Sequence, residues 1–303
     1  MLVSTPIGNL GDMTPRALEA LREADVVLAE DTRSAQRLLA HFALSARLES
    51  LHDHNEEARV PGLLARLAHG ERMALVSDAG APLVSDPGFR LVRAAIAAGV
   101  AVSALPGANA ALTALLLSGL PPQPFLFLGF LPPRAAARRA ALARVRAAER
   151  AGLAATLLFY EAPHRLAATL ADAATVLGPR AAAVARELTK RFEEVRRADL
   201  ASLAADYAQA PPRGEITLVI GPPEESAAAP GAELDTRLRA ALAGHSLKDA
   251  AALVAGETGL PRRAVYARAL ALGAAQTSSA ASSESSRSRP SGKARSTPPA
   301  RSR

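Results

Sequence analysis

The stretch RELTKRFEE, residues 186–194, holds side chains that could move a proton. Arg186, Glu187 and Lys190 lie within five residues of one another, directly after the apolar run AAAVA. Only three of the 36 Lys and Arg residues are lysines. An arginine keeps its proton, whereas the pKa of a lysine responds to its surroundings, so Lys190 differs chemically from the arginines around it. Glu187 and Lys190 are therefore candidates for acid–base chemistry, and a solvated ion-pair network is the alternative.

The stretch SDAGAPLVSDPG, residues 77–88, combines carboxylates with residues that stiffen or bend a loop. It follows the apolar run MALV and contains two Asp, two Pro and two Gly residues. Ligands of α/β folds bind at the carboxyl ends of strands, so this loop is a candidate ligand site, with a long surface turn as the alternative. The loops TPIGN at 5–9 and LPG at 105–107 also follow strand-like runs. Because parallel strands end at one edge of a sheet, we expect the three loops to converge, which favours a ligand site.

Other polar side chains also follow predicted strands. They lie in AEDTR at 29–33, LHDHN at 51–55 and FYEAPHR at 159–165. His52 and His54 have a spacing that could serve a metal, but no third ligand accompanies them, so a hydrogen-bonding or substrate-contacting role is favoured. For AEDTR, a helix N-cap and a functional role are equally supported. Tyr160 and Glu161, together with residues 186–194, are expected to form the far wall of a cleft between two domains.

The elements that must position these loops follow an alternating pattern. Short apolar runs alternate with amphipathic segments from the first residue onward, which predicts a mainly parallel sheet covered on both faces. The first two helices are expected to start near Thr14-Pro15 and at about Ser34. GLPPQP at 119–124 breaks the pattern, and the mixed connections after it, with a possible strand at RFEEV, predict a second, mixed sheet. The predicted fold class is α/β with two domains and a small C-terminal helical module. The expected divisions are an N-terminal α/β domain, a second α/β domain that completes the cleft, the helical module and a disordered basic tail, at residues 1–119, 120–222, 233–274 and 275–303.

The composition excludes several kinds of site and several classes of protein. The chain has no cysteine, which excludes disulfides, thiolate metal sites and a cysteine nucleophile, and we expect no metal. The formal net charge of +7 is concentrated in the tail, so it indicates little about nucleic-acid binding by the domains. No uncharged apolar run is long enough to span a bilayer, and no signal peptide precedes the first strand. We therefore expect a soluble cytoplasmic protein.

An ordered series of motifs resembles the small-subunit ribosomal RNA methyltransferase family that modifies the ribose 2′-hydroxyl of a decoding-centre cytidine, within the tetrapyrrole methylase superfamily. The series reads STPIGNLGDMTPRAL, AEDTR, LHDHNE, LVSDAGAPLVSDPG, LPG, GFLP, FYEAPHR, RELTKRFEE and GEITLVI. It runs from Leu2 to about Ile220, with a weaker match near LKDAAALVAGETGLPRRAVYARAL. The resemblance also leads us to expect a short polar extension before the first strand, where this sequence begins.

The resemblance implies two α/β domains, a homodimer, and S-adenosylmethionine bound in the cleft between the domains. It assigns the cofactor contacts to Pro6, Ser77, Asp78, Ala79, Gly80, Pro82, Pro106, Gly107, Tyr160 and Glu161. The loop SDAGAPLVSDPG would then wrap around the methionine and ribose parts of the cofactor.

Methyl transfer to a hydroxyl is an in-line displacement, so the protein must position oxygen, methyl and sulfur and help to remove the hydroxyl proton. We expect Lys190 or Glu187 to assist the ribose hydroxyl as a base or as a hydrogen-bond partner. The acceptor-facing wall is assigned to Asp31, Arg33, His52, His54 and Arg186. The substrate is either free ribosomal RNA or an assembled 30S subunit.

The helical module and the choice of acceptor leave alternatives. Arg262, Arg263 and Arg268 of the module would add RNA affinity through phosphates, and a structural cap is the alternative. A methyltransferase acting on a tetrapyrrole-like small molecule and a catalytically silent RNA-binding protein share the expected fold. The separate helical module and the AEDTR and LHDHN loops argue against the small-molecule enzyme.

Overall fold

The computed structural model describes residues 1–223, 232–258 and 260–272. A compact unit that ends at Glu224 holds both predicted sheets, and the C-terminal helices belong to a second unit. The predicted basic tail, residues 275–303, lies outside the described residues. In the described part of the chain, no helix is both long and apolar enough to cross a membrane.

The first sheet is parallel throughout. Its strands are β1 (Leu2–Val3), β2 (Val26–Ala29), β3 (Leu48–Ser50), β4 (Met73–Val76) and β5 (Ala104–Leu105). They are arranged in the order β3-β2-β4-β1-β5. The connecting helices are α1 (Pro15–Glu23), α2 (Thr32–His41), α3 (Glu56–Ala68) and α4 (Phe89–Ala97).

Strand β2 shows why this sheet is covered on both faces. All four of its residues are buried. Val27 and Ala29 pack in the core formed with α1 and α2, whereas Val26 and Leu28 pack in the core formed with α3 and α4. Successive side chains of a strand point to opposite faces, so a continuous apolar run is what a strand between two helical layers requires.

The second sheet is mixed. Its strands are β6 (Phe125–Phe130), β7 (Thr156–Glu161), β8 (Ala181–Arg186), β9 (Glu194–Asp199) and β10 (Ile216–Ile220). They are arranged in the order β6-β7-β10-β8-β9, and only β6 and β7 run parallel. One face packs against α6 (Ala135–Arg150), α7 (Leu166–Leu177) and α8 (Leu200–Gln209).

The other face of the second sheet packs against the helix that ends the first half of the chain. This helix, α5 (Ala110–Ser118), buries Ala111, Ala114 and Leu115 against strands β7, β8 and β10. Ile7, from the loop after β1, joins the same core. The loops at the edge of the first sheet are therefore held next to the second sheet by apolar packing.

The C-terminal unit is a three-helix module. It contains α9 (Ala232–Leu242), α10 (Leu247–Thr258) and a helix over 262–272, which we call α11. Leu238, Val254 and Val265, one from each helix, are fully buried in its core. The Ser246 side chain caps α10 by accepting a hydrogen bond from the backbone N–H of Asp249 at 3.3 Å.

The predicted fold class is confirmed, including the mixed second sheet and the C-terminal helices. Two details were wrong. The predictions lacked strand β3, and the possible strand at RFEEV instead spans Glu194–Asp199. Helix α2 begins at Thr32, close to the predicted start at about Ser34. The divisions at residues 119 and 222 remain a prediction.

Candidate functional site

The loops after β1 and β4 are joined by hydrogen bonds. The backbone groups of Thr5 and Gly80 form a two-residue bridge, with N–H···O distances of 2.9 and 3.0 Å. The Thr5 hydroxyl donates to the Ser77 carbonyl at 3.1 Å, and the Ser77 hydroxyl donates to the Gly80 carbonyl at 2.7 Å. Gly80 has a φ of +82°, which favours glycine at this position. The convergence expected for these two loops is thus present, and Ser77 acts as an internal brace.

The loop after β5 packs closely against the loop after β1. The Ser4 hydroxyl donates to the Leu105 carbonyl at 3.1 Å. A Cβ atom added at Gly107 would lie 2.7 Å from the Ser4 Cβ, so only glycine fits without a shift. Asn109 caps α5 by accepting a hydrogen bond from the Leu112 N–H at 3.0 Å. The glycine of the LPG motif therefore allows the loops after β1 and β5 to pack closely together.

A cavity of about 400 Å³ lies between the loops of the first sheet and the edge of the second sheet. This volume is within the usual range for small-molecule sites. We call this cavity the cleft, and its lining includes Ile7, Asp78, Ala79, Val84, Ser85, Asp86, Phe130, Tyr160, Glu161, Leu188, Glu215 and Thr217. It brings together residues from the loops after β1, β4, β7 and β8 and from the start of β10.

The predicted cofactor residues fall into three groups. Asp78, Ala79, Tyr160 and Glu161 line the cleft. Pro6 and Ser77 line a neighbouring hollow of about 270 Å³, which shares Asp78 with the cleft. Gly80, Pro82, Pro106 and Gly107 line neither space, and the packing described above shows Gly80 and Gly107 shaping the loops. Their assignment as cofactor contacts stays a prediction.

The side chains of Glu161 and Tyr160 have different roles in the cleft. The Glu161 carboxylate is fully buried and accepts hydrogen bonds from the Ala162 N–H at 2.8 Å and the Thr169 hydroxyl at 2.5 Å. It also pairs with Arg165 at 3.2 Å, so it fixes the turn between β7 and α7. Tyr160 packs its ring at 5.6 Å from Phe130, and burial raises the pKa of its hydroxyl. Tyr160 therefore offers a neutral aromatic wall.

Lys190 holds two carboxylates together at the rim of the cleft. Its ammonium donates to Glu187 at 2.8 Å and to Glu215 at 2.9 Å. Burial opposes the charge, but these hydrogen bonds outweigh it and raise the pKa of Lys190, while the bond from Lys190 lowers the pKa of Glu187. Lys190 is therefore protonated at neutral pH. Of the two predicted roles, its surroundings favour a hydrogen-bond donor over a base.

The loop that carries Lys190 is strained and touches the loop after β1. Glu187 and Thr189 have φ values of +52° and +64°, in the left-handed region that residues other than glycine rarely adopt. The Thr189 hydroxyl accepts a hydrogen bond from the Asn9 N–H at 3.1 Å, and a methyl group at Gly8 would overlap the Lys190 side chain. Such strain is held in place by surrounding contacts and concentrates at functional sites.

Acidic side chains gather where β2, β3 and β4 end. Burial, followed by the charges of Glu30, Asp78 and Asp53, raises the pKa of Asp86 to about 7. Burial also raises the pKa of Glu30, with further contributions from Asp78 and Asp53. Asp86 was missed among the predicted site residues, although it is the second aspartate of SDAGAPLVSDPG. The sequence signal was the Asp-Pro-Gly turn itself. In the structure this turn follows Leu83 and Ser85, which both have positive φ.

The residues predicted to face the acceptor lie on three segments of the chain, and their assignment stays a prediction. Asp31 caps α2 and pairs with Arg33 at 2.9 Å, which lowers the pKa of Asp31 to about 2. His52 and His54 stack edge to face at 6.0 Å in the neighbouring loop. Arg186 lies on the second sheet, where it pairs with Glu194 at 3.0 Å. Among the described residues, no group of three His, Asp or Glu side chains is placed to hold a metal.

Comparison with known families identifies the class. Residues 1–204 match the family described as Tetrapyrrole (Corrin/Porphyrin) Methylases, and residues 228–273 match the family described as RsmI C-terminal HTH domain. The crystal structures of the methyltransferase CobJ and of diphthine synthase share the fold, at 20% and 19% identity with TM-scores of 0.53 and 0.56. They cover 73% and 72% of this chain, and this chain covers 92% and 88% of theirs. The solved structures show the shared fold, and the match over residues 1–204 shows that the chain belongs to the tetrapyrrole methylase family.

Curated relatives identify a more specific family within the tetrapyrrole methylases. A protein of Micromonospora olivasterospora named ribosomal RNA small subunit methyltransferase I is 50% identical over 268 residues, which cover 88% of this chain and 84% of that protein. A protein of the same name from Pseudomonas aeruginosa is 48% identical over 276 residues, covering 89% and 95% of the two chains. The chain therefore belongs to the family of these small-subunit methyltransferases. The predicted family resemblance is confirmed.

Proposed function

We propose that the protein transfers a methyl group from S-adenosylmethionine to the ribose 2′-hydroxyl of a cytidine in the decoding region of small-subunit ribosomal RNA. The observation that carries the proposal is the identity of 43–50% over most of the chain to proteins named ribosomal RNA small subunit methyltransferase I. A cleft of suitable size between the two sheets supports it. We further propose that the protein acts in the cytoplasm, where ribosomal subunits are found.

The charges of the cleft fit this cofactor. S-adenosylmethionine carries a positive sulfonium and a positive amino group beside one carboxylate, and it supplies an activated methyl group when bound. Asp78 and Asp86 line the cleft, and Glu30 and Asp53 lie close enough to influence Asp86. Opposite charge lowers the cost of placing a cation in a partly dehydrated cleft. The Tyr160 ring offers an aromatic surface for the adenosine part.

The Lys190 network positions the acceptor side of the cleft. Lys190 holds Glu215, a lining residue, and it packs against Gly8 of the loop after β1. We assign Lys190 as a hydrogen-bond donor and Glu187 as the residue that keeps Lys190 in place. Lys190→Ala and Glu187→Ala should each lower the single-turnover rate at saturating RNA. Wild-type rates in both variants would contradict this assignment.

Two hollows neighbour the cleft, and Arg37 lines both of them. The hollow next to the cleft shares Arg37 with a wider, open hollow of about 770 Å³ that also contains Arg33. The Arg37 guanidinium bonds to the Ser34 hydroxyl at 3.2 Å, and within the described residues no carboxylate lies within salt-bridge distance of it. We propose that Arg37 contacts a phosphate of the bound RNA, because an arginine fork matches phosphate. Arg37→Ala should therefore weaken RNA binding without changing cofactor binding.

We propose that the C-terminal module adds RNA affinity through Arg262 and Arg263, both of which are exposed. Arg268 is engaged differently, because it pairs with Asp235 across the module at 2.6 Å. The contribution from phosphates should appear as salt dependence of RNA binding.

We also propose a homodimer. Helix α5 is apolar on nearly all sides and leaves Leu112 and Leu116 at 47% and 81% exposure. Exposed apolar side chains clustered on one helix are typical of an interaction surface. Sedimentation should show a dimer for the wild type and a monomer for Leu116→Glu, with an exposed Arg93→Glu variant of α4 as the control for added charge. A wild-type monomer would contradict the proposal.

The proposed activity is tested by tritium transfer from labelled S-adenosylmethionine. The acceptors are small ribosomal subunits from a strain that lacks the gene, deproteinised ribosomal RNA, large subunits and a tetrapyrrole. We expect label in the small subunit or its RNA only. Label in the tetrapyrrole would support the small-molecule alternative, and no label despite cofactor binding would support a silent RNA-binding protein.

A further inference from the structure

The loop that carries Lys190 also presents an aromatic ring to solvent. Arg191 and Phe192 occupy the two central positions of a turn, which the Glu193 N–H closes by donating to the Lys190 carbonyl at 3.2 Å. Phe192 is 65% exposed. It does not line the cleft, although it lies only two residues from Lys190.

The turn around Phe192 is held by hydrogen bonds on its amino-terminal side. The Glu193 carboxylate accepts a hydrogen bond from the Thr189 N–H at 2.6 Å, and the Lys190 N–H donates to the Glu187 carbonyl at 3.0 Å. Burial of the Phe192 ring does not stabilise this conformation, because the ring stays in water. A fixed turn that exposes an aromatic side chain suits a binding surface, since little conformational entropy is lost when a ligand arrives.

A cation accompanies the exposed ring. The Arg191 guanidinium lies over the Phe192 ring, 5.4 Å from its centroid. Within the described residues no carboxylate lies within salt-bridge distance of Arg191, and the nearby Glu194 pairs with Arg186 instead. An apolar ring beside an unpaired cation favours a ligand that combines a flat apolar face with negative charge. Each nucleotide of an RNA strand has both features, in its base and its phosphate.

The loop adjoins the space where the proposed reaction takes place. Leu188 lines the cleft, and Lys190 packs on Gly8, which lines the hollow that also contains Arg37. The cleft has the size of one small-molecule site, so the bases of the RNA lie outside it when the proposed cofactor is bound. The Cα atoms of Phe192 and Lys190 are at most about 7 Å apart. The ring is therefore close to any ribose that Lys190 contacts.

We propose that Phe192 stacks on an unpaired RNA base next to the acceptor ribose, with Arg191 adding a favourable contact to the same strand. The proposal rests on the proposed function, because it requires an RNA acceptor. Bases that have left a helix stack on aromatic side chains, and an aromatic face accepts any base. Stacking holds the strand so that the ribose hydroxyl stays at the rim of the cleft. Phe192 thus binds the substrate and takes no part in proton transfer.

The first test is methyl transfer to small ribosomal subunits under single-turnover conditions. Phe192→Ala should raise the subunit concentration that gives the half-maximal rate by about 5–150-fold, the range for loss of one stacked base. The maximal rate should stay within a few-fold of the wild type, because the reacting groups are unchanged. Phe192→Trp keeps an aromatic face and should resemble the wild type. Phe192→Leu keeps an apolar side chain without that face and should resemble Phe192→Ala.

A second exposed phenylalanine provides the matched control. Phe89 is 60% exposed, and the Arg93 guanidinium lies 5.5 Å over its ring, but it belongs to α4. Phe89→Ala should keep the wild-type half-saturation. Calorimetry with S-adenosylhomocysteine and sedimentation should not distinguish Phe192→Ala from the wild type. Weaker cofactor binding would mean that the turn supports the cleft, and dissociation into monomers would mean that a second copy of the chain covers the ring. Either result would overturn the proposal.

The second test needs no methyl transfer. The chain contains no tryptophan, so in Phe192→Trp all tryptophan emission comes from the proposed stacking site. Polycytidylate supplies bases and phosphates, whereas polyphosphate supplies the charge alone. We expect bound polycytidylate to quench the emission of Phe192→Trp by stacking, and bound polyphosphate to leave it unchanged. Phe89→Trp should respond to neither polymer. Unchanged emission of Phe192→Trp with polycytidylate bound would contradict the stacking.

The two tests distinguish failure of the proposal from failure of the proposed function. Wild-type protein that methylates small subunits normally, while Phe192→Ala and Phe192→Leu keep the wild-type half-saturation, would refute the role of Phe192 alone. Wild-type protein that transfers no methyl group to small subunits would refute the proposed function. In that case the emission of Phe192→Trp would still show whether a base reaches the ring.

Discussion

Replacing Asp86 by Asn is expected to stabilise the ligand-free protein at neutral and alkaline pH. The folded-state pKa of Asp86 is about 7, above the ordinary value of 3.8 that it regains on unfolding. Between these values the folded protein binds more protons than the unfolded chain, so its stability falls as the pH rises. The contribution of Asp86 to the stability of the protein is therefore fully present below pH 3.8 and is lost as the pH rises through about 7. Asn carries no charge, so the Asp86→Asn variant does not lose this stability as the pH rises.

The size of the stability difference follows from the shift in the pKa of Asp86. One pKa unit corresponds to about 1.4 kcal/mol, so the shift of Asp86 sets an upper limit of roughly 4 kcal/mol. Because the side chain is only partly buried, solvent screening reduces the expected difference to about 1–2 kcal/mol. For a unit of the size that ends at Glu224, this corresponds to roughly 2–8 °C in melting temperature.

The assay is thermal and urea unfolding of both proteins from pH 4 to pH 9, without cofactor. The two unfolding curves should nearly coincide at pH 4 and separate progressively up to about pH 8, with Asp86→Asn the more stable. Asp31→Asn serves as the control of opposite sign, because pairing with Arg33 lowers the pKa of Asp31 to about 2 and its removal should destabilise the protein above pH 4. If Asp86→Asn were less stable than the wild type at pH 8, the claim that Asp86 is an uncompensated charge in the cleft would be wrong.

Three further predictions concern the loops, the core and the module. Gly107→Ala should weaken the binding of S-adenosylhomocysteine about tenfold, because the added methyl group moves the loop after β5 out of position. Gly62→Ala is the control, since Gly62 lies on an open helix surface, and calorimetry should show unchanged affinity for this variant. Glu149→Ala should lower the free energy of unfolding by about 3–5 kcal/mol in urea titrations, because it strands the fully buried Arg180 guanidinium; a loss below about 1 kcal/mol would contradict the buried pairing. Truncation after Pro222 should weaken RNA binding and flatten its salt dependence while leaving cofactor binding intact, and unchanged RNA affinity would make the module structural.

The fold was largely predictable, because its signals are local. The continuous apolar run of β2 and the Thr14-Pro15 start of α1 each indicate an element without reference to the rest of the chain, and the Thr14 side chain does cap α1. Strand β3 was missed because it is only three residues long and half-buried, with Glu49 at its centre. Its pairing with β2 makes it a strand, and that contact is not visible in a local pattern.

The site was only partly predictable, because its chemistry depends on residues that are distant in sequence. The predicted loops after β1 and β4 do line the cleft or the hollow beside it, whereas Pro106 and Gly107 of the third predicted loop line neither space. The high pKa of Asp86 arises from burial and from Glu30, Asp53 and Asp78, which three different strands bring together. The raised pKa of Lys190 likewise depends in part on a hydrogen bond to Glu215, which is 25 residues away. Such properties belong to the tertiary structure, and no sequence motif reports them.

The most direct test of the proposed function is to map the methyl group on small subunits from a strain that lacks the gene. After tritium transfer, the RNA is hydrolysed in alkali, which cleaves only where a free 2′-hydroxyl can attack the neighbouring phosphate. We predict that the label appears in one alkali-resistant dinucleotide, with 2′-O-methylcytidine from the decoding region at its 5′ side. Label on a base, label spread over many nucleotides, or label on a ribose outside the decoding region would contradict the account.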